Sequence, residues 1–373
     1  MKYLNKKTIV LGITLFSMFF GAGNLIFAPY LGAQAGFSAG KALAGMLITA
    51  VVMPIAAVAI ISLFENASFM ISRIWKPLGP IFMTIVYLLI GPCIAIPRTA
   101  STAAEMWSWL IGQGFIMWIC IFAFFAIAAL MALHPGKLKD ILGRVMGGLL
   151  IALILFLCVP ILFKNSDVAA PAAAYAAHPF FAGLNEGYQT MDILAAFCFG
   201  TILKMNIRQE EIENEHAAML SASLIAGFLL AAIYSLLALS AMKESAVLQS
   251  AANGAQILSE AGNMGWGSAG RILCGLIFLI ACLNVCASLL ACTSEYFSEL
   301  APKLSYRSWL LAFTLIGAIT ACTGLNAVLS WSGKVLSLIC PIAILILAVS
   351  LILYFVKGKQ KPQKSGSSQT IKQ

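Results

Sequence analysis

Apolar residues run along this chain in long unbroken blocks, not at alternate positions, and short polar stretches separate the blocks. Ten blocks read as membrane-spanning helices, at residues 8–31, 40–64, 79–105, 115–133, 141–163, 188–207, 217–241, 270–294, 306–325 and 327–355. A spanning helix needs about 20 apolar residues to cover the hydrocarbon layer. The continuous runs argue against a transmembrane β-barrel, whose strands alternate in short segments. The first block opens like a secretory signal, with a basic Met1–Lys7 stretch and an Ala33-Gln34-Ala35 sequence that mimics a cleavage site. The length of its apolar run and the nine spans after it predict a retained helix instead.

Composition narrows the class further. Of 373 residues, 61% are hydrophobic and 10% charged, whereas a soluble domain carries about 25% charged residues. Soluble, disordered, collagenous and disulfide-stapled chains are all excluded. The net charge of +9 is spread along the chain, so it offers no basic face to a nucleic acid. With the N-terminus placed in the cytoplasm, the inner segments hold 17 Lys and Arg residues and the remainder holds 6. That asymmetry predicts cytoplasmic placement of both termini. The ten cysteines all fall in apolar stretches, without a CxxC pair or a neighbouring histidine, and read as small hydrophobes.

The expected organisation is a first five-helix unit at 1–163, an outer loop at 164–187, a second five-helix unit at 188–355, and a basic, disordered cytoplasmic tail at 356–373. Within 242–269 an amphipathic surface helix is expected over Ala246–Leu258, ahead of the glycine-rich Asn263–Gly267.

Two spans carry signs of a break. The first contains Gly21-Ala22-Gly23-Asn24 near its middle and Pro29 beyond. Glycine permits unwinding, and unwound backbone at membrane depth must be buried or line a cavity. The freed amides of the outer half-helix would accept a carboxylate, while freed carbonyls and the Asn24 side chain would coordinate a cation. The same glycines also suit close helix packing, and their spacing alone does not choose between the two. In the sixth span, Phe197, Cys198, Phe199, Gly200 and Thr201 mark a weaker place for a second break, with a straight helix as the alternative. The second lies five spans after the first, so the halves would have opposite orientations. Paired interruptions of that kind point to a transporter's substrate site.

Ionisable residues at membrane depth are expensive and point to function. Arg98 and Glu105 lie seven residues apart on one face of the third span, and Asp192, at the outer start of the sixth, is placed to reach Arg98. Snorkelling to the outer headgroups is the plain alternative for Arg98 and Glu105. Enzyme chemistry finds no support. His134, His178 and His216 form no HExxH pair, and no nucleophile elbow, Walker A loop or zinc spacing occurs.

The run Phe19-Phe20-Gly21-Ala22-Gly23-Asn24-Leu25-Ile26-Phe27-Ala28-Pro29-Tyr30-Leu31-Gly32 resembles the signature of the bacterial branched-chain amino acid:cation symporters. Gly91-Pro92 with Ala95–Ala100, Gly187-Tyr188 with Thr190-Met191-Asp192, and Ala281-Cys282-Leu283 leading to Glu295-Tyr296-Phe297 extend the likeness to about residue 355. The resemblance implies an all-α, leucine-transporter-type fold of ten helices. These form a five-plus-five inverted repeat with broken helices 1 and 6. It further implies secondary uptake of leucine, isoleucine and valine with sodium, through the inner membrane, and no cofactor. By position, Gly21, Ala22 and Gly23 would hold the substrate carboxylate, and Phe197, Phe199 and Gly200 would border the aliphatic pocket. Phe20, Asn24, Asn284 and Ser288 would form the ion sites, with Arg98, Glu105 and Asp192 as gating or coupling charges.

Three departures qualify the implied activity. Ala28 replaces a family proline, the family's last two helices are missing, and Asn284-Val285 stands where a hydroxyl pair is expected to serve a sodium ion. The last change makes a proton-coupled or ion-uncoupled carrier of another small solute the first rival reading. A non-transporting membrane sensor or assembly protein is the second.

Overall fold

The computed structural model describes residues 6–112, 114–133, 146–163 and 167–357, and every regular element among them is helical. Helix α1 (Lys6–Phe19) is followed by α2 (Ala22–Ala35) across a break. Helix α3 (Ala39–Leu47) passes through a π-turn at Ile48–Val52 into α4 (Met53–Ser62), and α5 (Ala67–Ser72) follows. Next, α6 (Leu78–Leu88) reaches a π-turn at Leu89–Cys93 and continues as α7 (Ala95–Ile111), then α8 (Phe115–Ala132) and α9 (Gly147–Leu162). The second half comprises α10 (Pro179–Gln189), α11 (Asp192–Gln209), α12 (Glu215–Lys243), α13 (Gly254–Trp266), α14 (Ser268–Leu300), α15 (Tyr306–Ala321) and α16 (Leu325–Lys357).

The apolar blocks become helices because a backbone in lipid must satisfy its own hydrogen bonds. Side-chain caps begin several of them: Asn66, Asn214, Asn253 and Ser305 accept from amides three residues on. The bundle wears its apolar residues outward as well as inward. Phe115, Phe228 and Phe355 are each more than 70% exposed, the pattern of a surface that meets lipid.

Among the described residues, six helical stretches are long and apolar enough to cross a bilayer, or seven if the bent pair α10–α11 forms one span. The spans expected at 141–163 and 306–325 appear as α9 and α15, of 16 residues each. At 1.5 Å per residue the described part of each reaches about 24 Å, against the ~30 Å hydrocarbon layer; residues 141–145 of the first lie outside the described residues. His134, Lys137, Lys139, Arg144, Lys164 and residues 358–373 of the tail lie outside the described residues.

Three local expectations change. The sixth-span break falls at Thr190-Met191, where Met191 adopts a left-handed φ of 68° and the helix bends by 44°. Gly200 is an ordinary position inside α11. Helix α10, within and beyond the loop expected at 164–187, lies backbone to backbone on α3. A Cβ on Gly183 would come within 1.8 Å of the Ala42 carbonyl. The surface helix expected at Ala246–Leu258 instead starts at Gly254, after the Asn253 cap, and runs through Asn263–Trp266. It is packed, not floating: Ala255, Ile257, Leu258 and Ala261 are buried, and Gly254 meets the Ile26 carbonyl of α2 where any side chain would clash.

Candidate functional site

The first break is built by Phe20 and Gly21. Gly21 is extended, and its amide donates to Asn24 Oδ1 at 2.9 Å, so the Asn24 side chain caps the helix it belongs to. Helix α2 therefore begins with its first amides, those of Ala22 and Gly23, at the break, where its dipole is positive. Close packing enforces the glycines. A Cβ on Gly21 would sit 2.7 Å from Val285, and one on Gly23 2.8 Å from the Arg98 guanidinium.

The second break faces the first. Arg98 donates through Nη1 to the Gln189 carbonyl at 2.7 Å and through Nη2 to the Thr190 carbonyl at 3.3 Å. These are carbonyls freed where α10 ends, and a guanidinium fork suits them. Its carbon also lies 5.6 Å from the Phe27 ring centre. One step on, Asp192 Oδ2 accepts from Tyr234 Oη at 2.5 Å and from Asn24 Nδ2 at 3.1 Å, and Asn24 Nδ2 also meets Tyr234 Oη. Asn24, Arg98, Asp192 and Tyr234 are all buried. Arg98 serves the turn before Asp192, and no Arg98–Asp192 ion pair occurs among the described residues.

Between the breaks lies a cavity of ≈ 30 Å³. Seven of the residues singled out from the sequence line it: Gly21, Ala22, Gly23, Asn24, Arg98, Asp192 and Phe199. Six others lie elsewhere. Phe20 stacks on Phe16, Phe197 packs edge-on to Phe82, and Gly200 faces Ile61. Glu105 accepts from Gln256 Nε2 at 3.0 Å near the far end of α7. Asn284 Nδ2 donates to the Ser17 carbonyl at 3.0 Å and to Ser17 Oγ, and Ser288 Oγ donates back to the Asn284 carbonyl. Sequence reasoning missed Tyr234, whose only signal is a lone phenol in the apolar run of the seventh span. It also missed Thr99 and Val285 as cavity walls.

Residues 4–370 match the family described as branched-chain amino acid transport protein. The chain belongs to that family. Among its relatives, the branched-chain amino acid permease BrnQ of Bacillus subtilis is 34% identical over 364 residues, covering 94% of this chain and 82% of the relative. BrnQ of Corynebacterium glutamicum is 36% identical over 351 residues, covering 93% and 81%. The family is one of transport proteins, not enzymes. Among solved structures, MHP1, a nucleobase-cation-symport-1 family transporter in a closed conformation with bromovinylhydantoin bound, aligns with a TM-score of 0.63 at 15% identity. That alignment covers 94% of this chain and 78% of the other. At that identity the likeness is one of fold alone.

Proposed function

We propose that the protein imports leucine, isoleucine and valine by alternating access, together with a cation, sodium. The observation that carries this reading is the convergence on one buried cavity of the first amides of α2, the carboxylate of Asp192 and the ring of Phe199. Amides at a helix start take a carboxylate without needing a counter-charge. Asp192 faces a positive group, either the substrate ammonium or the coupling ion. An aliphatic side chain needs only a dry apolar wall. The cavity of ≈ 30 Å³ holds about one water-sized body, so the surrounding helices must part to admit an amino acid, as alternating access requires.

The reading extends to ten spans in a five-plus-five inverted repeat within 1–163 and 188–355, with both termini cytoplasmic in the inner membrane of a bacterium. A lipid bilayer, an aliphatic amino acid and a monovalent cation are its partners, and no cofactor takes part. A second reading replaces sodium by a proton. Asp192 favours it, as the one acidic residue lining the cavity among the described residues.

Labelled leucine uptake into proteoliposomes tests both, with an inward sodium gradient, with potassium in its place, and with an imposed proton gradient. Accumulation driven by sodium supports the first reading, and accumulation driven by protons alone supports the second. Absence of both uptake and exchange against internal leucine would sink the transport reading. Asn24→Ala is expected to lower sodium-stimulated uptake more than it lowers the amount of protein in the membrane.

A further inference from the structure

The break after Phe19 leaves the last carbonyls of α1 without helical donors, in the buried middle of the bundle. Such a half-helix end carries partial negative charge, and a cation or a protein donor must meet it. In this chain α14 supplies the donor. The Gly21 amide, which in an uninterrupted helix returns to the Ser17 carbonyl, goes to Asn24 Oδ1 at 2.9 Å. Asn284 Nδ2 approaches the Ser17 carbonyl at 3.0 Å and also meets Ser17 Oγ. A carbonyl can only accept, so it fixes the Asn284 amide with its NH₂ toward α1. The cost of that orientation is visible on the other side, where Asn284 Oδ1 is buried with no hydrogen-bond partner. Among the described contacts, no other side chain of α14 donates to the Ser17 carbonyl. Ser288 spends its hydroxyl on the Asn284 carbonyl at 3.0 Å, and Val285 sets methyl groups against Gly21.

We propose that Asn284 acts as a tethered, uncharged substitute for a cation at the end of α1, holding α1 to α14 whatever the ionic conditions. The cation order of the carrier is then set at a single acidic group, Asp192, on the opposite side of the break. This inference rests on the transport reading only for what the carrier does with its ion. The α1–α14 contact itself is a property of the folded chain.

The test is thermal unfolding of the full-length protein in detergent, titrated with sodium chloride against choline chloride at constant ionic strength. Wild type is expected to show a sodium order of about one at most, by mass action. Asn284→Asp places a carboxyl against the Ser17 carbonyl, a contact relieved by a proton or by a bound cation, so at alkaline pH, where the proton is scarce, its sodium order rises by about one. The Asn284→Ala protein is expected to be less stable with the wild-type sodium order. A second-order response in wild type overturns the proposal, as does loss of the sodium response in folded Asn284→Ala. So does a folded Asn284→Asp protein that responds as wild type does. If neither variant folds, the wild-type order decides. Failure of leucine transport in the proteoliposome assay would remove the transport reading and leave this titration able to decide.

Discussion

Arg98 Nη1 donates to the carbonyl oxygen of Gln189 at 2.7 Å, joining positions 91 residues apart in the chain. With the Thr190 carbonyl at 3.3 Å, it makes one buried guanidinium the closure of the last turn of α10. Substituting Arg98→Gln leaves at least one buried carbonyl unmet, at about 1–3 kcal/mol each. Leucine uptake is expected to fall at least ~10-fold, as ~1.4 kcal/mol suffices for that factor, with Arg98→Lys in between because an ammonium lacks the fork. Unchanged uptake in Arg98→Gln, measured against the amount of protein in the membrane, would contradict this role.

Tyr234 is the donor that holds Asp192 Oδ2 at 2.5 Å. A hydrogen bond to a charged group contributes about 1.5–3 kcal/mol. Tyr234→Phe keeps the ring and removes that bond. Lower thermal stability and weaker leucine uptake are expected together. A Tyr234→Phe protein with wild-type unfolding and uptake would show that Asp192 needs no phenol.

Gly23 and Gly40 form an internal comparison. A Cβ at Gly23 meets Arg98 Nη2 at 2.8 Å and the Thr190 carbonyl oxygen at 3.0 Å, whereas one at Gly40 meets nothing within 4 Å. Gly23→Ala is expected to reduce leucine binding by ~10-fold or more, at a cost of ~1.4 kcal/mol per tenfold. Gly40→Ala should bind as wild type does. Isothermal titration with leucine on both proteins checks the contrast.

Phe199 lines the cavity and packs edge-on to Phe19 at 5.3 Å between ring centres. Truncating it enlarges the apolar wall on one side. A hydrophobic pocket discriminates by about 1–3 kcal/mol per methylene, so Phe199→Ala is expected to lower the leucine-to-alanine preference roughly 10-fold. Competition of unlabelled leucine and alanine against labelled leucine reads this directly, and an unchanged ratio would remove Phe199 from the pocket.

Much of the site was legible because breaks in helices are written in residue types. Gly21, Gly23 and Asn24 mark a span that can unwind, and Arg98 and Asp192 are costly to leave in lipid. The second break was misplaced because the signal sought was glycine. Gly200 lies in regular helix, while the left-handed turn is taken by Met191, a residue type that carries no such mark. Arg98 stabilises that turn through its flanking carbonyls, and a contact across 91 positions leaves no local trace. Phe197 and Phe199 differ for a related reason. Two positions apart on a helix, they point to different sides, one toward Phe82 and one into the cavity. The packed helix α13 was misread as a surface helix because the residues that receive it, such as Ile26 against Gly254, lie in a distant span.

The interruptions in neighbouring helices are paired, and this has a mechanical consequence. Helix α10 packs on α3 and α11 on α4, while the π-turn at Ile48–Val52 touches both α10 and α11 beside the bend at Thr190-Met191. The backbone-on-backbone contact of Gly183 with Ala42 binds α10 to α3. Two articulated rods laid side by side, each jointed next to the other's joint, share a crease. Flexing along it, as alternating access would require, would swing α10 and α3 together relative to α11 and α4 without unzipping either interface. Under the alternating access proposed above, such a crease would let the centre change the side to which it opens while its dry contacts stay dry.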